Sequence, residues 1–155
     1  MEKDGWDEAV YNDSDWVGVT AIERSKNILE ASSGPPVRKI EKVKPIEILT
    51  TANGETVFDL GQNMVGWVRL RVKGEAGTTV TLRHAEVLDK DGNFYTENLR
   101  AAKQEIQYTL KGGEEEIFEP HFTFQGFRYV AVDGYPGEPT FDAITGIVIH
   151  SDMPA

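Results

Sequence analysis

Hydrophobic and polar positions alternate along most of this chain, and the alternation restarts after each turn signal. Residues 66–73 show it best, with Val68, Leu70 and Val72 falling on one face and Trp67, Arg69 and Arg71 on the other. A period of two places successive side chains on opposite faces of a strand, so this run predicts a half-buried β-strand. Pro45–Thr51 and Glu55–Leu60 flank Ala52-Asn53-Gly54, a tight hairpin signal. After Gly74-Glu75-Ala76-Gly77, Thr78–Leu88 returns with Val80 and Leu82 inward. Residues 89–93, DKDGN, form an Asp-Gly turn. Glu105–Lys111 alternates as Ile106, Tyr108 and Leu110, and Gly112-Gly113 turns the chain before Glu116–Glu119. Phe122–Asp133 and Phe141–His150 complete the strand pattern. The sole helical candidate is a turn or two around Thr96–Lys103. Many short strands, Gly-rich turns and no long helical period predict an all-β fold: an antiparallel β-sandwich, jelly-roll-like, with at most one short helix.

The first part of the chain has a different texture. Residues 1–16 are rich in Asp, Asn and Gly, with Trp6 and Trp16 as apolar anchors. Val17–Arg24 predicts a strand, because Val17, Val19 and Ala21 share a face. Residues 25–36, SKNILEASSGPP, have the composition of a linker or long loop. The expected organisation is an N-terminal extension over 1–36 and a sandwich module over 37–155.

One stretch resists a purely repetitive reading. In FDLGQNMVGWVRLRV, residues 58–72, two glycines, two side-chain amides and a tryptophan interrupt the alternation. A strand–turn–strand corner accounts for Gly61 and Gly66 through their backbone freedom, and for Gln62 and Asn63 through amide bonds to the turn backbone. A ligand site is the alternative, and Gln62, Asn63 and Trp67, then Arg69, are its candidates.

Composition narrows the function classes. The net charge is −10, from 26 acidic and 16 basic residues. Such a surface repels phosphate backbones, so no nucleic-acid partner is expected. No run of 18 apolar residues is present, so no membrane partner is expected, and the polar N-terminus is unlike a signal peptide. The absence of cysteine excludes disulfides and thiolate-bound zinc and leaves the compartment open.

Catalytic motifs are scarce. Gly-x-Ser-x-Gly, P-loop and dinucleotide fingerprints are missing. His84, in RHAE, has no second histidine at helical spacing and reads as a structural residue; His121 and His150 are isolated. Asp89, Asp91 and Asn93 resemble the start of a calcium loop, but the sixth and twelfth positions are Phe94 and Arg100 where that loop needs Gly and Glu. A hairpin turn is the better reading, calcium completed by distant residues the weaker one. Glu114-Glu115-Glu116 reads as a solvated hairpin.

Trp67, Arg69 and Arg71 form a basic, aromatic face on an acidic protein, expected to continue onto Thr79, Thr81 and Arg83 of a partner strand. Three readings stay open: a solvated sheet face, a docking surface, or a sugar platform.

Three linked blocks then suggest a family. FDLGQNMVGWVRLRVKGEAGTTVTLRHAEVL (58–88), DGNFYTENLRAAKQ (91–104) and YTLKGGEEEIFEPHFTFQGFRYVAV (108–132) resemble, in order and spacing, the concanavalin-like β-sandwich module of bacterial α-L-rhamnosidases. GWDEAVYNDSDW (5–16) is similar to the end of a preceding module, and IVIHSDMPA (147–155) to the junction with the catalytic domain. The resemblance implies a glycoside hydrolase whose general acid and base sit in an (α/α)₆ barrel absent from this sequence, releasing terminal L-rhamnose with inversion. It therefore implies a non-catalytic domain that braces or orients that barrel, with no catalytic residue and no cofactor of its own. Its partners would be neighbouring domains of the parent enzyme. A carbohydrate-binding module recognising rhamnose or related plant sugars is the competing expectation.

Overall fold

Seventeen consecutive residues, Thr56–Val72, form one strand in a computed structural model that describes residue 3 and residues 5–153. Straight, such a strand would be about 56 Å long. A 121-residue unit has a radius of gyration of only about 14 Å, so this strand has to bend and serve more than one layer. It does so at Gly61–Asn63, where its pairing register slips between Asp59 and Met64.

Around it, in chain order, lie β1 (Val37–Val43) and β2 (Glu47–Thr50) before it and, with the long strand as β3, β4 (Thr79–Ala85), β5 (Val87–Leu88) and β6 (Phe94–Tyr95). A single 3-10 turn, Glu97–Leu99, stands where the sequence predicts a helix. Then follow β7 (Glu105–Thr109), β8 (Glu116–Phe118), β9 (Gln125–Asp133) and β10 (Ile144–Ser151). All pairings among the described residues are antiparallel. The main path runs β1-β10-β3-β9-β4-β7, with β2 and β8 also on β3, and β5-β6 a separate small hairpin. One edge of β3 takes β2 and then β10; the other takes β9 and then β8. The long strand is thereby shared between the two layers of an antiparallel β-sandwich.

The core explains the alternation. Phe58, Leu60, Met64, Val68, Leu70 and Val72 of β3 join Val80, Leu82, Phe127, Val130, Val132 and Ile144 in one buried cluster. Burying each large side chain of this kind favours folding by about 1.5–3 kcal/mol. On the second half of β3, Trp67, Arg69 and Arg71 occupy the positions between Val68, Leu70 and Val72.

Several expectations need correction. The predicted corner at 61–66 is not a turn between two strands but a bulge within one. An Asx-type contact causes it: the Gly61 amide donates to Asp59 Oδ1 at 2.6 Å. Gly61 has φ +77°, a left-handed conformation that a side chain would strain. The hairpin expected between β3 and β4 is absent, because β4 pairs with β7 and β9 instead. Chain order is a poor guide here: β9 and β10, far along the sequence, outcompete the neighbour for the edges of β3. The sequence pattern does not announce β1, since its seven residues are nearly all exposed and show no buried alternation.

The chain folds as two compact units, Met1–Gly34 and Pro35–Ala155. In the first unit no strand forms over Val17–Arg24, and Val19 remains 94% exposed. Alternation proposes a strand, but without a pairing partner the backbone ladder does not form. Residues 1, 2 and 4 of the predicted extension and 154–155 of the predicted module lie outside the described residues.

Candidate functional site

The outward face of the β1-β10-β3-β8 layer gathers most of the sequence-predicted chemistry. Register places Trp67 opposite Ile147 and Arg69 opposite Thr145 on β10, and Arg71 opposite Ile117 on β8. Residues directly opposite in an antiparallel pair share a face. The strip therefore carries Lys42 on β1, Ile147 and Thr145 on β10, Trp67, Arg69 and Arg71 on β3, and Ile117 on β8. Thr79, Thr81 and Arg83 are not part of it; Arg83 bonds Glu55 at 2.7 Å and Asp133 at 3.2 Å in the other layer.

Glu119, which the sequence did not single out, organises this face. It accepts from Lys39 Nζ at 2.7 Å, Trp67 Nε1 at 2.8 Å and Arg69 Nε at 2.7 Å, with the Arg69 Nη2 at 2.6 Å. The Lys39 ammonium also lies 5.4 Å from the Trp67 ring centre. Burial would raise the Glu119 carboxyl, but the Lys39, Trp67 and Arg69 donors outweigh it and hold it at about 2. Trp67 and Arg69 are thus bound to each other through a carboxylate. Lys39, Trp67 and Arg69 lie 80, 52 and 50 positions from Glu119, and no local motif announces such a contact.

Gln62 and Asn63 sit apart, in the exposed bulge of β3. Asn63 donates to Glu86 at 3.1 Å, and Asn98 donates to the same carboxylate at 3.3 Å. Asn63 is four strand positions from Trp67, about 13 Å along the chain. The four candidates therefore form two groups rather than one site.

Beside the bulge, Asp59 receives Arg128 through both Nε and Nη2 at 2.8 Å. The Arg128 guanidinium holds the Asp59 carboxyl below its ordinary value, against burial, with help from the Gly61 amide. Replacing Asp59 by Asn keeps the shape and removes the charge. We expect a stability loss of about 1–2 kcal/mol, checked by urea unfolding; an unchanged midpoint would mean that the pair does not hold the bulge.

Other predicted groups serve the fold. His84 is fully buried; its Nδ1 meets the Gln104 carbonyl at 2.8 Å and its ring stands edge-on to Phe127. Burial pushes it down to about 4, against the Gln104 contact, so it is neutral at pH 7. Its Nε2 is buried without a hydrogen-bond partner. Asp89 turns its Oδ1 onto the Asp91 and Asn93 amides, each at 2.8 Å, and its Oδ2 onto the Asn93 side chain. That is the hairpin-turn arrangement; no group of three or more acidic or histidine side chains able to hold a metal occurs among the described residues. Glu116 departs from the solvated hairpin expected for 114–116. It is buried and accepts from the Tyr108 hydroxyl and from the Lys111 and Gly112 amides.

Residues 49–150 match the family described as the bacterial alpha-L-rhamnosidase concanavalin-like domain. The chain belongs to this family. An alpha-L-rhamnosidase of Streptomyces avermitilis is 48% identical over 99% of this chain, and that of Alteromonas sp. strain LOR is 37% identical over 98%. The concanavalin-like domain also superposes on the solved alpha-L-rhamnosidase of Aspergillus terreus with a TM-score of 0.87 and 42% identity, over 98% of this chain. In each comparison the match is a small part of the relative: 15% of the Streptomyces protein, 17% of the Alteromonas protein and 18% of the Aspergillus chain.

Proposed function

We propose that this concanavalin-like domain is a non-catalytic part of an α-L-rhamnosidase that braces or orients a catalytic domain outside the chain, the (α/α)₆ barrel that the family resemblance implies. The observation that carries this reading is one of proportion. Almost the whole chain aligns with only 15% of a 48%-identical rhamnosidase. The carboxylates described support it. A glycosidase needs one acid and one base facing each other across a cleft at about 5–9 Å. Here Glu119, Asp59 and Glu116 are held below their ordinary values by donors, which suits fixed anions and not a proton-donating acid. The reading calls on no cofactor, and its partners are neighbouring domains of the parent enzyme.

Binding of rhamnose-containing glycans is the competing reading. It is less favoured because the Trp67 indole and ring are already engaged by Glu119 and Lys39.

The isolated chain should release no p-nitrophenol from p-nitrophenyl α-L-rhamnoside above the buffer rate, and calorimetric titration with L-rhamnose should give no heat beyond dilution. Turnover at about 1 s⁻¹ or faster would overturn the non-catalytic reading. Saturable rhamnose binding lost in Trp67→Ala would favour the sugar module.

A further inference from the structure

β10 runs as a low strip between two taller banks. Its outward side chains include Thr145, Ile147 and Ile149, all buried, while β1 raises lysines on one side and β3 raises Trp67, Arg69 and Arg71 on the other. Two clefts lie along the strip. One, of about 310 Å³, is lined by Lys44, Arg69, Arg71, Ile117, Asp142 and Thr145. The other, of about 410 Å³, is lined by Lys39, Lys42, Ile147 and their β1 neighbours Ile40 and Glu41. Thr145 and Ile147 are two strand positions apart, so their floors are separated by about 7 Å. Five cations border this trough in a protein of net charge −10.

Not all of that charge is neutralised locally. Lys42 has no ion-pair partner among the described residues, and Arg71, which lies near Glu115 at 3.3 Å and feels Asp142, makes no side-chain hydrogen bond among them. Lys44 pairs with Asp142 at 2.9 Å, but both side chains are more than half exposed. A pair so exposed contributes at most about 1 kcal/mol and exchanges readily for another carboxylate. Arg69 and Lys39 are tied to Glu119 and serve as a rigid wall. A guanidinium presents a fork that matches a carboxylate.

We propose that this trough binds the carboxylates of an acidic glycan, a chain carrying uronic acid units. Arg71 and Lys44 take one carboxylate and Lys42 takes a second in the next cleft. Asp142 and the Thr145 hydroxyl meet sugar hydroxyls, and the exposed Ile117 meets a C–H face. A neutral sugar lacks the group the cations select, so this site goes beyond the bracing role and stands or falls apart from it.

The test uses the chain as it is, with tri-galacturonic acid as the probe, followed by amide and side-chain NMR shifts at low salt. Saturable shifts on β1, β3 and β10 with a Kd near 1 mM are expected, weakening at least tenfold between about 20 and 500 mM salt. The fully methyl-esterified trimer and the double variant Lys42→Gln/Arg71→Gln should each bind at least tenfold more weakly, with the variant's melting temperature preserved because both side chains are exposed. Absence of shifts at 10-fold molar excess over about 1 mM, equal binding of the ester, or unchanged binding by the variant would overturn the site. Equally tight binding of tri-glutamate would overturn the assignment to a glycan.

Discussion

Gly66→Ala should leave this chain unable to fold. A Cβ at position 66 would overlap the backbone carbonyl oxygen of Ile147, with the Ile147 carbonyl carbon 2.9 Å and the Val148 Cα 3.3 Å away. Nothing there is a flexible side chain that could swing aside. Gly66 also pairs with Gln125 of β9 and Val148 of β10, so it lies at the point where both central neighbours meet β3. Relief would require β10 to move off, breaking the ladder from Ile144 to Val148 and opening the core that Ile144 fills and against which Val148 packs. The expected loss is about 4 kcal/mol or more, most of the stability of an ordinary domain. Expression should yield insoluble protein or a far-UV spectrum without a cooperative melt. Val65→Ala, on the half-exposed neighbour, is the control and should cost under about 1 kcal/mol. A soluble Gly66→Ala protein melting within about 3 °C of wild type would refute this account.

Glu119→Gln should have the next largest effect, and its signature is a pH dependence. The side chain is only 14% exposed, and three donors from β1 and β3 converge on it. An amide in its place accepts at one atom and turns N–H groups toward Lys39 or Arg69. Holding the carboxyl at about 2 instead of 4.5 corresponds to roughly 3 kcal/mol of folding free energy at neutral pH. Lys39 is more than half exposed and solvent weakens its share, so a loss of about 2–3 kcal/mol is expected at pH 7. Because the folded value is depressed, the stabilisation is complete above pH 4.5 and disappears as pH falls toward 2. Urea unfolding of the two proteins from pH 7 to 2.5 should therefore show a gap that is constant at first and narrows below about pH 4.5. His84 titrates in its own window, from 6.5 down to about 4, but is present in both proteins and cancels in the difference. A gap that stays constant down to pH 2.5 would mean that ionised Glu119 is not what holds the face together.

Both effects act where parts of the chain distant in sequence meet, and the same distinction separates what was legible beforehand from what was not. The inward residues were legible. Val68, Leu70, Val72, Val80, Leu82 and Leu110 were placed on inner faces by alternation alone and are buried. The turns at Asn53-Gly54 and Asp91-Gly92 were legible from their chemistry, and glycine has positive φ at both. The family was legible because its motifs lie in continuous blocks, and residues 49–150 match it. Of the candidate site, the common face of Trp67, Arg69 and Arg71 was legible. The company they keep was not.

The reason is physical. A period of two records which side of a strand each residue faces, and that is a property of one segment. It carries no record of which strand lies alongside, because the hydrogen bonds that decide pairing join backbone groups that are alike in every residue but proline. The sequence by itself therefore determined an all-β chain, its inner faces, its principal turns and its kinship. Only the tertiary structure decided that β3 is one bent strand shared by two layers, that β10 and not β4 flanks Trp67 and Arg69, that Glu119 closes over them, and that β1 brings its lysines to the far bank of a trough.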